Sequence, residues 1–103
     1  MDKDISNSSD ENSAARPNEN DELRRKRLIY QANYRGFKEA DLLLGGFAKT
    51  YMSSLSAEEV AQFEDLLTAK DHDIYDWVTG RLPVPANFDT PVLRRLRAFN
   101  PLA

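Results

Sequence analysis

The sequence predicts an all-α protein, a small five-helix bundle that follows a disordered N-terminal tail. Three observations support this fold class: apolar residues recur at helical spacing, helix caps and stops punctuate the chain, and no segment alternates as a strand does. The chain has 103 residues, 41% of them hydrophobic, which suits one small domain. We therefore divide it into a tail, residues 1–20, and a helical domain, residues 21–103.

The predicted tail is rich in Ser, Asn and acidic residues and offers almost no apolar side chains to bury. Its five acidic residues outnumber its two bases, Lys3 and Arg16, and account for the whole formal charge of −3, so the helical domain is neutral overall. This acidic leader differs from organelle transit peptides and secretory signals, and no later run is long and apolar enough to span a bilayer. We expect a cytoplasmic protein of the bacterial type with no membrane insertion.

The first helix is predicted from residue 21 or 22 to Asn33. Strong helix formers follow two acidic residues there, and acids suit the amino end of a helix. The segment Tyr34-Arg35-Gly36 is typical of a helix stop, and we expect Gly36 to adopt the left-handed conformation just past the end.

The second helix is predicted over residues 39–51. Its apolar residues recur at i, i+3, i+4 and i+7, which places on one face Leu44, Phe47, Ala48 and Tyr51. Gly45-Gly46 lies inside this helix, although each Gly costs about 1 kcal/mol relative to Ala in such a position. We therefore expect another helix to cross closely at the two glycines.

Ser56 is the clearest helix start in the chain. Its hydroxyl can cap the third helical amide while Glu59 reaches back to the Ser56 amide, and Leu55 can pack on Val60. The third helix is predicted to run to about Ala69, with a buried face that contains Val60, Phe63 and Leu67.

The last two helices are short. Asp71 or Asp73 is predicted to cap a fourth helix that ends at Gly80 and buries Ile74, Trp77 and Val78. Two prolines then predict an extended loop over residues 81–88. Thr90-Pro91 is typical of a cap followed by the first helical residue, and starts a fifth helix through Leu93, Leu96 and Phe99.

The residue types argue against a self-contained enzyme. The chain has no cysteine, which excludes disulfides, thiol catalysis and thiolate metal sites. The single histidine, His72, has no companions at metal-ligand spacing and is expected to be an exposed turn residue. No glycine-rich phosphate cradle and no nucleophilic serine motif is present. We therefore predict no catalytic residue and no metal site.

Two basic clusters leave another function open. Arg24-Arg25-Lys26-Arg27 and Arg94-Arg95-Arg97 are able to meet phosphates, so a small helical nucleic-acid-binding or regulatory module is an alternative. The neutral domain and the acidic middle of the chain argue against it. We therefore expect no nucleic-acid partner and a protein partner with charges of both signs.

The most distinctive segment joins the first two helices and reads Arg35-Gly36-Phe37-Lys38-Glu39-Ala40-Asp41. A glycine lets another surface approach the backbone, and an adjacent guanidinium can bind a carboxylate or phosphate through forked hydrogen bonds. The physical alternative is an ordinary helix stop followed by acidic residues at the next helix start.

These residues also carry a resemblance. RGFKEAD, followed by LLLGGFAKTYMSSLSAEEVAQFEDLL and DHDIYDWVTGR, resembles the succinate dehydrogenase FAD assembly (flavinylation) factor family over about residues 22–99. The resemblance implies a compact five-helix protein that binds the flavoprotein subunit of succinate dehydrogenase, and often of fumarate reductase. It also implies that the protein promotes covalent attachment of FAD to a histidine of that partner.

The resemblance further implies which residues act. Arg35, Gly36 and Glu39 match the functional motif of the family, with Asp41 as a companion and Tyr34 as an exposed addition to the binding patch. Arg35 and Gly36 are expected at the centre of the contact, and Glu39 is expected to orient Arg35 or to pair with a base of the partner. A second, more structural element matches at Asp73 and Trp77.

By this interpretation the chain is an assembly chaperone and not an enzyme. It holds no cofactor itself, because the FAD belongs to the partner flavoprotein, and it is expected to be a monomer when free. Besides the nucleic-acid module, an interaction domain of some other complex remains an alternative.

Overall fold

The computed structural model describes residues 19–99, and within that range it contains five α-helices and no strand, which confirms the predicted fold class. Two 3-10 turns, Met52–Ser54 and Ala86–Phe88, interrupt the connections between helices. The helices are α1 (Asp21–Asn33), α2 (Lys38–Tyr51), α3 (Ala57–Leu66), α4 (Asp71–Thr79) and α5 (Pro91–Phe99).

The predicted tail lies outside the described residues as far as residue 18. Glu19 and Asn20, which the sequence assigned to the tail, belong to the fold. The Asn20 side-chain oxygen accepts a hydrogen bond from Leu23 N at 2.8 Å and caps α1, and the Glu19 carboxylate accepts from Nε and Nη2 of Arg27. The described fold therefore includes the two residues before the predicted boundary.

The predicted caps at the start of α3 and α5 and the predicted stop at the end of α4 are confirmed. Ser56 Oγ accepts from Glu59 N at 3.1 Å while Glu59 Oε1 accepts from Ser56 N at 2.9 Å, a complete capping box. The hydrogen bond from Ser56 N lowers the pKa of the Glu59 carboxyl, and Arg95 adds to the effect. Gly80 ends α4 in the left-handed conformation with φ of 83°, and Thr90 Oγ1 caps α5 by accepting from Leu93 N.

Helix α3 is shorter than predicted and ends at Leu66 instead of near Ala69. After Leu66 the chain tightens into a turn, where the amides of Thr68 and Ala69 bond to carbonyls three residues back, at 3.0 Å each. The buried face therefore uses Leu66, which is 2% exposed, and leaves Leu67 half-buried. The predicted extended loop also contains a 3-10 turn, which packs the ring of Phe88 on the core.

One hydrophobic core receives side chains from all five helices. Phe47 lies at its centre, fully buried, with ring centroids of Phe63 and Phe99 at 5.8 and 5.9 Å. The predicted apolar face of α2 is confirmed, since Leu44 and Ala48 are also fully buried. Other core residues are Leu28, Ala32, Leu43, Met52, Val60, Ile74, Val92, Leu93 and Leu96.

Helices α1 and α2 form the most extensive helix pair, and the predicted close crossing occurs at Gly45. A Cβ atom added at Gly45 would lie 2.9 Å from Asn33 Cγ and 3.3 Å from Asn33 Cα, so the end of α1 occupies that space. Gly46 instead faces the Phe99 ring, whose nearest atom would lie 3.3 Å from a Cβ atom added at Gly46.

The two neighbouring glycines predict opposite mutational effects. We expect Gly45→Ala to lower the free energy of unfolding by about 1 to 2 kcal/mol. The added methyl group would overlap the Asn33 side chain, which is held by a hydrogen bond to Ile29 O at 2.8 Å, and this overpacking exceeds the helix propensity gained from Ala. Gly46→Ala is expected to change stability by less than about 0.5 kcal/mol, because the propensity gain offsets a small shift of the Phe99 ring. Urea unfolding of both variants measures the difference, and equal stabilities would contradict the close crossing.

Candidate functional site

The loop of residues 34–37 joins α1 to α2, and two carboxylates hold its backbone. Arg35 N donates to Asp41 Oδ1 at 2.7 Å, and Gly36 N donates to Asp71 Oδ2 at 2.5 Å. Asp41 belongs to the first turn of α2, whereas Asp71 is the first residue of α4. The loop is therefore fixed to its own helix and to a helix distant in the sequence.

The Arg35 side chain is directed into the protein. Its Nε donates to Asp71 Oδ1 at 2.6 Å, and its Nη2 donates to the carbonyl oxygens of Leu67 and Ala69 at 3.0 and 3.2 Å. Only 14% of the side chain is exposed. The guanidinium thus ties the loop to the turn between α3 and α4, through a charge-assisted fork that Lys could not reproduce.

The expected left-handed conformation of Gly36 is wrong, since Gly80 is the one glycine with positive φ in residues 19–99. A glycine suits this position for another reason: an added Cβ would lie 2.9 Å from Asp71 Oδ2. The predicted capping role of Asp71 or Asp73 is wrong as well. Lys70 occupies the cap position of α4 without a side-chain bond, because the Asp71 carboxylate is used by the loop.

The other predicted site residues lie on the outside of this loop. Tyr34 is 70% exposed and Tyr30 is 66% exposed, and their ring centroids are 4.6 Å apart. Glu39 is exposed and makes no hydrogen bond or ion pair with any residue in the range 19–99. Asp71, and not Glu39, therefore orients the Arg35 guanidinium, and pairing of Glu39 with a base of the partner stays a prediction.

Two open grooves flank the Tyr30–Tyr34 pair. The larger, of about 510 Å³, lies between α1 and the end of α3. The smaller, of about 360 Å³, lies between α1 and α2 and has two lysines, Lys26 and Lys49, among its lining residues. The exposed tyrosines therefore stand between two concave surfaces, an arrangement typical of protein-binding faces.

Under the larger groove, Glu64 is the one charged residue among those classed as buried in the described range, at 7% exposure. It accepts hydrogen bonds from Arg24, through Nε at 3.0 Å and through Nη2, and from Arg27 Nη2 at 2.5 Å. Arg27 also binds Glu19, and the hydrogen bonds to Glu19 and Glu64 raise the pKa of its guanidinium. These ion pairs fix the side of α1 that carries the tyrosines against α3.

The two basic clusters are used within the protein, which does not favour the nucleic-acid alternative. In the first cluster, Arg25 donates to the carbonyls of Met52 and Leu55 at 2.5 and 2.9 Å, beside the Arg24 and Arg27 pairs with Glu64. The second cluster is engaged through ion pairs of Arg94 with Asp89 and Arg95 with Glu59, and a hydrogen bond from Arg97 to Trp77 O.

The second predicted element has a structural position. Trp77 is 7% exposed and stacks on Phe88, with ring centroids 5.1 Å apart, while Asp73 lies in the first turn of α4 without a side-chain hydrogen bond to the described residues. His72 is exposed, as expected, but it lies in the first turn of α4 and not in a turn outside the helices, and its ring stacks on Phe37 with the centroids 4.3 Å apart. Across residues 19–99 no group of three or more His, Cys, Asp or Glu side chains is placed to hold a metal ion, and no helix is long and apolar enough to cross a membrane.

Comparison with known proteins decides the family. Residues 26–100 match the family model described as flavinator of succinate dehydrogenase, a range that contains the loop and nearly the whole bundle. The chain belongs to this family. The resemblance found in the sequence is thereby confirmed.

Two relatives illustrate the range of this flavinator family. The chain is 44% identical over 73 residues to the FAD assembly factor SdhE of Acetobacter pasteurianus, which covers 71% of this chain and 67% of that protein. It is 43% identical over 84 residues to the mitochondrial succinate dehydrogenase assembly factor 2-B of Drosophila ananassae, which covers 80% of this chain and 52% of that protein. The chain thus spans about half the length of the mitochondrial relatives it matches.

Three residues that shape the site were not predicted as site residues from the sequence. Tyr30 lies four residues before Tyr34, a helical spacing that could have identified the pair. Asp71 and Glu64 contact residues that are 35 to 40 positions away in the chain. No local pattern indicates such contacts, because they depend on how the helices pack.

Proposed function

We propose that this protein is an assembly factor that binds the flavoprotein subunit of succinate dehydrogenase and promotes covalent attachment of FAD to that subunit. The observation that carries the proposal is the match of residues 26–100 to the family described as flavinator of succinate dehydrogenase. The name of the bacterial relative, FAD assembly factor, supports the same role.

The geometry supports action by binding and positioning. The loop and the first turn of α2 form one continuous element, from which Tyr34 and Glu39 project outward, and the Tyr30 ring extends the patch. Such a surface can hold a partner in a reactive arrangement, which accelerates a reaction without a catalytic group of its own. The covalent bond would join a histidine of the partner to the methyl carbon of the flavin. That carbon would give up a proton, and the flavin ring would take up the electron pair of the broken C–H bond.

Several finer points belong to the same proposal. The FAD is held by the partner and not by this chain, and the chain acts as a chaperone and not as an enzyme. The related fumarate reductase flavoprotein is a second client. The proposal also has the protein work as a monomer in the bacterial cytoplasm, and the likeness to a bacterial FAD assembly factor supports the bacterial setting.

Glu39→Ala tests the exposed part of the site. We expect the variant to keep the stability of the parent protein, because Glu39 is exposed and has no partner in the described range. We expect it to bind the flavoprotein subunit about tenfold more weakly, as for a charge that loses an opposite charge across an interface. In-gel flavin fluorescence of the partner subunit, with the factor limiting, measures the resulting loss of covalent flavin.

Glu58→Ala is the matched control. Glu58 is also an exposed acidic residue at the second position of a helix, in α3 instead of α2. It should support normal flavin attachment, so a loss in both variants would indicate a nonspecific effect of charge. Full attachment with Glu39→Ala would refute the role of Glu39, and no dependence of attachment on the parent protein would refute the proposed function.

A further inference from the structure

One carboxylate serves both residues at the centre of the loop. The two oxygens of Asp71 accept separately, Oδ1 from Arg35 Nε at 2.6 Å and Oδ2 from Gly36 N at 2.5 Å. The Asp71 side chain is 21% exposed and the Arg35 side chain 14% exposed, so the pair is largely shielded from water. Hydrogen bonds with an ionised acceptor in such surroundings are stronger than neutral ones.

We propose that Asp71 is the positioning residue of the candidate site. Its carboxylate fixes the 34–37 loop before the partner binds. Arg35 and Gly36 contribute to binding indirectly, because their hydrogen bonds to Asp71 hold the loop in place. The inference rests on the proposed function, which it deepens by separating residues that shape the site from residues that touch the partner.

The first argument is the direction of each group. Three hydrogen bonds of the Arg35 side chain go to Asp71, Leu67 and Ala69, all at the junction of α3 and α4. The amide of Gly36 and the space beyond its missing Cβ both face Asp71. The Arg35 guanidinium and the Gly36 amide are therefore bound to other residues of the same protein, while the Tyr34 ring projects into solvent.

The second argument is the cost of ordering a loop on binding. A loop that is flexible when free must lose conformational entropy at the moment of contact, which weakens the complex. Asp71 removes that cost beforehand, because it connects the loop to α4 by two bonds while Asp41 holds the Arg35 amide from α2. A partner then meets Tyr34 and Glu39 in one arrangement.

The competing explanation is that the partner backbone packs directly on Gly36, and a double-mutant cycle separates the two. Gly36→Ala adds a methyl group that would lie 2.9 Å from Asp71 Oδ2. If Asp71 is the reason for the glycine, removing the carboxylate by Asp71→Ala also removes the clash. If the partner is the reason, the methyl group interferes whether or not Asp71 is present.

The experiment measures the dissociation constant for the FAD-loaded flavoprotein subunit with the full-length parent, Gly36→Ala, Asp71→Ala and the double variant. We expect each single variant to bind about tenfold more weakly than the parent protein, which corresponds to the loss of one charged hydrogen bond. The double variant is expected to bind at most about twofold more weakly than Asp71→Ala. Equal fold losses from Gly36→Ala in both backgrounds would overturn the inference, and so would parent-like binding by Asp71→Ala.

A second readout does not depend on the partner. The Gly36 amide proton should resonate downfield in the free parent protein and move upfield in Asp71→Ala. The unfolding temperature should fall by roughly 10 °C at most, because the shielded Arg35 guanidinium keeps its two carbonyl acceptors. If Asp71→Ala does not fold, Asp71→Asn replaces it, because it keeps the shape of the side chain. It is expected to show a smaller upfield shift of the Gly36 amide proton. A Gly36 resonance that is the same in Asp71→Ala as in the parent protein would overturn the inference, even if the parent protein supports normal flavin attachment. If instead the parent protein does not bind the flavoprotein, the proposed function alone is refuted.

Discussion

Glu64→Ala is expected to lower the free energy of unfolding by about 3 kcal/mol, because it leaves two shielded guanidinium groups without their shared acceptor. The side chains of Arg24 and Arg27 are 15% and 14% exposed, so each charge is largely shielded from water. Arg27 retains Glu19, which places the expected loss at the lower end of the range for a broken buried pair. Urea unfolding followed by circular dichroism measures the change.

Glu58→Ala is the control for this substitution on the same helix, and it should stay within about 0.5 kcal/mol of the parent protein. A domain of about 80 residues has a total stability of about 4 to 12 kcal/mol, so the loss at Glu64 is a large fraction of it. A decrease below about 1 kcal/mol would show that both arginines find other acceptors without strain, contrary to the described network.

Phe47→Ala is expected to have a larger effect, about 4 kcal/mol. The Phe47 ring is fully buried where α2, α3 and α5 meet, and its removal leaves a cavity bordered by Tyr51, Phe63 and Phe99. The lost aromatic contacts add to the lost burial. Thermal unfolding should show a midpoint roughly 20 °C lower, given about 5 °C per kcal/mol for a domain of this size.

Phe47→Leu is the matched comparison, since it keeps an apolar side chain in the same cavity and should lower stability by about 1.5 kcal/mol at most. If Phe47→Ala were as stable as Phe47→Leu, the three rings around position 47 would have to close the cavity at no cost. Such a result would contradict the central position of this ring in the core.

Local signals predicted the helices because each signal acts within a few residues. The capping box of Ser56 and Glu59, the left-handed stop at Gly80 and the cap at Thr90 lie where the sequence placed them. Where such signals compete with tertiary contacts, the contacts prevail. Asp71 was one of two residues predicted to cap α4, yet it is the first residue of that helix and its carboxylate binds the loop 35 residues earlier.

The candidate site was predicted only in part for the same reason. Tyr34 and Glu39 are exposed, as expected for residues that bind a partner. The chemical character of Arg35 predicted a forked contact with a carboxylate. In the structure only Nε of the guanidinium bonds to a carboxylate, that of Asp71 in the same chain, and Nη2 bonds to backbone carbonyls instead. Residue types therefore indicated the kind of bond, while the identity of its acceptor depended on the packing of α4 against the loop.

The arginines have one consequence for a small domain without cysteine. Three of them, Arg25, Arg35 and Arg97, donate to backbone carbonyls at or just past the carboxyl ends of α2, α3 and α4 respectively, where helix geometry leaves acceptors unused. Each guanidinium comes from a different segment of the chain, so it connects distant parts as a covalent cross-link would. The bundle is thus cross-connected by hydrogen bonds, which form without an oxidant and do not depend on the redox state of the surroundings as disulfides do.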